Sequence, residues 1–178
     1  MKLSRRAFAH LFACFICSAA AGAPAQTVDE TFKPSVGQEG KDVVWVPTPP
    51  VLVEKMLDMA RVTPQDFVMD LGSGDGRNVI AAAKRGARAL GVEYNPKMVE
   101  FSTRTAEQEG VADKAKFVQG DMYEADISQA TVLALFLLPE NLRKLTQKFL
   151  DLNPGTRIVA NHFGIDGWEA DETARTEG

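Results

Sequence analysis

The feature that most constrains this chain is the string Asp70-Leu71-Gly72-Ser73-Gly74-Asp75-Gly76-Arg77. A short apolar run, residues 67–70, leads into it, and an alanine-rich stretch with helical character, 78–85, leads out. Strand, glycine turn and helix in that order form one βα unit of a parallel sheet. Glycines let such a turn be tight and let backbone approach a ligand without Cβ obstruction. In open parallel sheets ligands bind beyond the carboxyl ends of the strands, where strand order reverses. The glycine string therefore predicts a ligand site; the alternative is a turn needed only for close strand–helix packing.

The rest of the chain repeats the alternation. Strands are predicted over 89–92, 116–118, 131–137 and 157–160, and helices over 51–62, 96–109 and 141–150. This is a doubly wound α/β domain with a mostly parallel sheet covered on both faces. It is predicted to occupy residues 51–168, behind an N-terminal arm at 26–50 and ahead of a polar tail at 169–178. No strand pattern follows Trp168, so no antiparallel hairpin closes the sheet after the fifth strand. A shortened variant, a truncated sequence, or a homo-oligomer or partner at the sheet edge would each account for that.

The first 25 residues stand apart. Lys2, Arg5 and Arg6 precede a mostly apolar stretch, 7–21, and the small-residue run Ala23-Pro24-Ala25, the order of a secretory signal cleaved before Gln26. Ser4-Arg5-Arg6-Ala7-Phe8 has the look of a twin-arginine export signal, so a periplasmic protein is expected. An uncleaved membrane-anchoring N-terminus is the alternative, although the stretch is short for a spanning helix. Both cysteines, Cys14 and Cys17, lie here, so a processed chain has no thiol for a disulfide, a zinc site or a nucleophile. Of the 20 basic residues, 17 remain after position 25 against 24 acidic ones. No basic cluster offsets them, and a nucleic-acid surface is not expected.

The spacing of the glycines speaks to ligand chemistry. A dinucleotide fingerprint is GxGxxG; here the third glycine comes one position early and Arg77 stands in its place. The flanking carboxylates Asp70 and Asp75 would repel a pyrophosphate and suit a cation. S-adenosylmethionine (AdoMet) has no phosphate and carries an ammonium and a sulfonium. Glu93 ends the second strand, 17 positions after Gly76, where a carboxylate can accept from two ribose hydroxyls, with Tyr94 and Asn95 beside it. Asp121 follows the third strand, placed to accept from an adenine amino group while Met122 meets the ring. Each acid alone could be an ordinary solvated strand end. Three acids at the ends of successive strands form a pattern.

With these motifs in place, residues 66–160 resemble the class I AdoMet-dependent methyltransferases, whose first motif the glycine string matches. Val46-Pro47-Thr48-Pro49, Gly91-Val92-Glu93-Tyr94-Asn95-Pro96 and Leu137-Leu138-Pro139-Glu140 add a narrower resemblance, to the lysine methyltransferases that modify the ATP synthase c-subunit. Nucleosomal lysine methyltransferases of the disruptor-of-silencing type are more distantly similar. Trp45 stands where those relatives tend to carry another aromatic. The resemblance implies a Rossmann-like fold, AdoMet as cofactor and a protein lysine side chain as acceptor.

Methyl transfer is an in-line displacement that needs alignment and dryness more than a general base. A lysine acceptor must lose a proton, which a narrow apolar channel promotes by desolvation. Trp45, Val46, Pro47 and Thr48 from the arm, with Leu138, Pro139 and Glu140 after the fourth strand, are the candidates for that channel. Ordinary packing between arm and sheet is the competing reading. His162, just past the fifth strand, is the candidate base. No metal cluster is expected. Three functions fit: a protein-lysine methyltransferase, a small-molecule methyltransferase, and a non-catalytic exported module that keeps the fold.

Overall fold

The computed structural model describes residues 32–176; the export segment expected at residues 1–25 lies outside them. Five strands form one sheet: β1 (Phe67–Leu71), β2 (Arg88–Glu93), β3 (Ala115–Gln119), β4 (Val132–Leu135) and β5 (Arg157–Ala160). Their order is β3-β2-β1-β4-β5, and every pairing is parallel. Four helices accompany them: α1 (Pro50–Met59), α2 (Arg77–Lys84), α3 (Pro96–Gln108) and α4 (Pro139–Leu150).

Local sequence explains the boundaries. Helices α1, α3 and α4 each begin on a proline, whose fixed φ suits a first turn and whose missing N–H costs nothing there. Asn95 also caps α3, its side chain accepting from the Lys97 N–H at 3.0 Å. Strand β4 is shorter than its apolar run predicts, because Phe136 and Leu137 leave the sheet.

The doubly wound arrangement is as expected, with α1, α2 and α3 on one face and α4 on the other. Period-two alternation sorts the strand residues. Val68, Val132 and Ala134 pack under α1 and α2, whereas Met69, Leu71, Leu133 and Leu135 meet Leu142, Leu145 and Phe149 of α4. One crossover departs from the alternation. Residues 120–131, between β3 and β4, contain no helix, and only Met122, Ile127 and Ala130 sink into the α4 face. Asp66 gathers the opposite end of the sheet, accepting from Thr63 (2.7 Å from its N–H) and Thr131 (2.8 Å) and pairing with Arg157.

Among the described residues no strand follows β5, which forms one edge of the sheet. No helix among them is long and apolar enough to cross a membrane.

Candidate active site

The site lies at the carboxyl ends of β1 and its neighbours β2 and β4, where strand order reverses. Gly72 and Gly74 both hold positive φ, 74° and 56°. The Gly72 and Ser73 N–H groups donate to the Val92 carbonyl at 2.8 and 3.1 Å, folding the loop over the end of β2. Glu93 fastens it from the other side: Oε2 accepts from the Gly74 N–H and Oε1 from the Asn95 N–H, each at 2.9 Å. The carboxylate thus ties the loop after β1 to the loop after β2 and keeps lone pairs for a ligand.

Asp70 points to the α2 face and is buried, with Asn78 Nδ2 donating to its Oδ2 at 3.0 Å. Burial pushes its carboxyl up to about 8; the Asn78 hydrogen bond opposes this, and the negative charges of Glu93 and Asp75 add to it. Asp75 is held by Arg77 in a fork, with Nε at 2.9 Å and Nη2 at 2.5 Å, and Arg77 Nη1 donates to the Thr48 carbonyl at 2.6 Å. The charge of Asp75 is therefore answered within the chain, and the pair anchors the arm to the glycine loop.

The arm is a small hairpin. Gly37 donates to the Trp45 carbonyl and Trp45 to the Gln38 carbonyl, both at 2.9 Å, around the bridge between Glu39 and Val44. It lies across the cavity. A Cβ on Gly74 would come within 2.5 Å of Trp45 Nε1, so the indole uses the space that glycine leaves. At the tip, Lys41 pairs with Asp121 and sits 5.2 and 5.9 Å from the Tyr94 and Tyr123 ring centroids. The Lys41 hydrogen bond, helped by the Tyr123 N–H, holds the Asp121 carboxyl below its ordinary range.

These parts enclose about 200 Å3. Glu93 and Asp121 line the β2/β3 side together with Tyr94, Asn95 and Met122; Phe136, Leu137, Leu138 and Phe163 form the β4/β5 side; Trp45, Val46, Pro47 and Thr48 form the roof. Gly72, Ser73, Gly74, Asp70 and Asp75 lie between.

Four of the residues expected at the site lie away from this cavity. Gly76 caps α2 at φ 82°, and a Cβ there would meet the Phe117 ring at 2.6 Å and Ser102 Cβ at 2.7 Å, so its role is packing. Gly76→Ala is expected to cost about 2–4 kcal/mol of stability, from left-handed backbone strain plus overpacking; an unchanged melting temperature would refute this account. Pro139 is spent as the first residue of α4, and Glu140, exposed, faces Lys144 at 3.6 Å. His162 is exposed while its neighbour Phe163 lines the cavity.

Sequence reading missed Phe136, Phe163, Asn78 and Lys41. Asn78 carried a signal, one residue into the helix that follows the glycine string. Lys41 carried none, because the arm has no period.

Strand order, glycine loop and strand-end carboxylates define a class I AdoMet-dependent methyltransferase. Within that class the chain belongs to the ANTKMT methyltransferase domain family, whose model matches residues 70–172. A protein-lysine N-methyltransferase of Saccharolobus islandicus is 42% identical over 138 residues, 76% of this chain and 86% of that protein. The mouse (Mus musculus) lysine N-methyltransferase of the ATP synthase c-subunit is 38% identical over 72% of this chain, which spans 52% of its length. Among solved structures, a Salinibacter ruber protein described as an RNA methyltransferase, crystallised with S-adenosyl-L-homocysteine, superposes with TM-score 0.72 at 47% identity, covering 75% of this chain and 88% of that one.

Proposed function

We propose that this protein transfers the AdoMet methyl group to the Nζ atom of a lysine in a protein. The observation that carries the reading is the division of the cavity. Carboxylates collect on the β2/β3 side, where a nucleoside can be held, and aromatic and aliphatic side chains collect on the β4/β5 side, where an amine can lose its water. Relatives named for lysine methylation support the same acceptor.

The residues fit the cofactor. Asn78 Oδ1 is buried without an internal partner in a residue that lines the cavity beside Asp70, as expected where a polar ligand completes the hydrogen bonding, whereas Ser73 Oγ lies against Gly91. In this reading Glu93 receives the ribose hydroxyls, Asp121 and Met122 meet the adenine with Tyr94 and Asn95 alongside, and Gly72, Ser73 and Gly74 bring backbone against the methionine portion. Asp70 supplies the buried negative charge that favours a cation. Bound AdoMet supplies an already activated methyl on its sulfonium. The chain has to align the amine, exclude water and let the ammonium proton escape before transfer. Desolvation lowers the lysine pKa, so no side-chain base is required.

Labelled AdoMet offered with the purified ATP synthase c-subunit and, separately, with total RNA tests the acceptor. Label on lysine is expected; label on RNA or only on small molecules would overturn the reading. The chain's acidic balance, 24 acidic residues to 20 basic, argues against an RNA-tracking surface. Export through the N-terminal segment is part of the same proposal, and recovery of the intact chain solely from the cytoplasm would remove it.

A further inference from the structure

Beyond β5 the chain reverses in three residues. The Asn161 N–H donates to the Leu135 carbonyl at 2.8 Å, and the Phe163 N–H donates to the Asn161 carbonyl at 2.8 Å. Between them His162 holds φ +68°. A three-residue turn closed across a non-glycine residue at that angle is rare and strained. Such strain persists only where the surroundings enforce it. Here the first residue is tied to β4, the His162 ring meets the Phe163 ring edge-on at 4.7 Å, and Phe163 packs on the apolar cluster beneath α4.

The turn leaves the two rings in contact but unequally covered. The imidazole reaches solvent and the phenyl becomes part of the cavity wall beside Phe136 and Leu138. We propose that Phe163 is a specificity-determining wall of the acceptor passage, packing against the methylenes of the incoming lysine and excluding water from its amine. The inference rests on the lysine reading above. It assigns to Phe163 the place that the sequence offered to His162, with packing in place of proton transfer.

The test compares the parent with Phe163→Ala and Phe163→Leu, using the purified ATP synthase c-subunit as acceptor. Phe163→Ala is expected to raise the acceptor KM at least 10-fold and to weaken calorimetric binding of that acceptor to the S-adenosylhomocysteine-loaded protein by a similar factor. Affinity for AdoMet should stay within about twofold, which also shows that the variant is folded. Phe163→Leu should recover most of the loss by refilling the wall. Unchanged acceptor KM and binding in Phe163→Ala, with lysine methylated by the parent, would overturn this inference alone. No lysine methylation by the parent would overturn the lysine reading and this inference with it.

Discussion

Asp70→Asn is expected to make the ligand-free protein more stable while it binds AdoMet roughly 10- to 100-fold more weakly, the worth of one buried charge-assisted contact. The cause is the burial that pushes the Asp70 carboxyl up to about 8 from 3.8. Below about pH 4 both folded and unfolded chains hold the proton, and Asp70 carries no penalty. As pH rises from 4 toward 8 the unfolded chain releases the proton and the native one keeps it. Native stability therefore falls, by up to about 1.4 kcal/mol per pH unit. Above pH 8 the loss levels off. Asparagine never ionises and can still accept from Asn78, so the variant's advantage should grow across that window to on the order of 5 kcal/mol at pH 8. Calorimetric melting at pH 5 and pH 8 measures it, and equal melting temperatures at pH 8 would contradict the account. A cationic ligand favours the carboxylate, so AdoMet binding to the parent should release a proton below pH 8 and tighten with pH. Binding to Asp70→Asn should be nearly flat.

Glu93→Ala is expected to raise the AdoMet dissociation constant about 1,000-fold or more. Two losses combine. The side chain accepts from both the Gly74 and Asn95 N–H groups, so alanine frees the glycine loop from the end of β2 and leaves two donors without their acceptor. Each such bond to a charged acceptor is worth about 1.5–3 kcal/mol. The acceptor for the ribose hydroxyls goes as well. Glu93→Gln keeps the shape and one acceptor oxygen but turns an NH2 toward a backbone donor, and should fall between alanine and the parent. Titration calorimetry with AdoMet ranks the three; a loss under 10-fold in Glu93→Ala would mean that the carboxylate only braces the loop.

What the sequence revealed of this site followed from how directly each residue depends on its own strand. Asp70, Glu93 and Asp121 end successive strands, so the topology alone carries them to one edge, and β5 was legible to the residue at Arg157–Ala160. Gly76 was misleading because a glycine required for packing and one required by a ligand look alike in sequence. Phe136 and Leu137 read as more strand, since an apolar run does not say whether it ends inside a sheet or on a cavity wall. Phe163 was hidden behind a histidine that invited a catalytic role, and only the backbone at His162 shows which ring turns inward. Lys41 meets Asp121 across 80 positions, through an arm whose pairing rests on a few backbone hydrogen bonds with no periodic pattern to announce it.

That arm has a mechanical side. Its tip sits on Asp121, where the proposed nucleoside contacts lie, and its last residues roof the passage proposed for the acceptor. One hairpin therefore borders both the carboxylate side and the apolar side of the cavity. Lys41 at the tip and the residues from Trp45 onward belong to one segment, held together by the Gly37–Trp45 and Trp45–Gln38 backbone hydrogen bonds. The fold thus joins the two halves of the site through one short segment, so that what loosens the arm at Asp121 also loosens the roof formed by Trp45, Val46, Pro47 and Thr48.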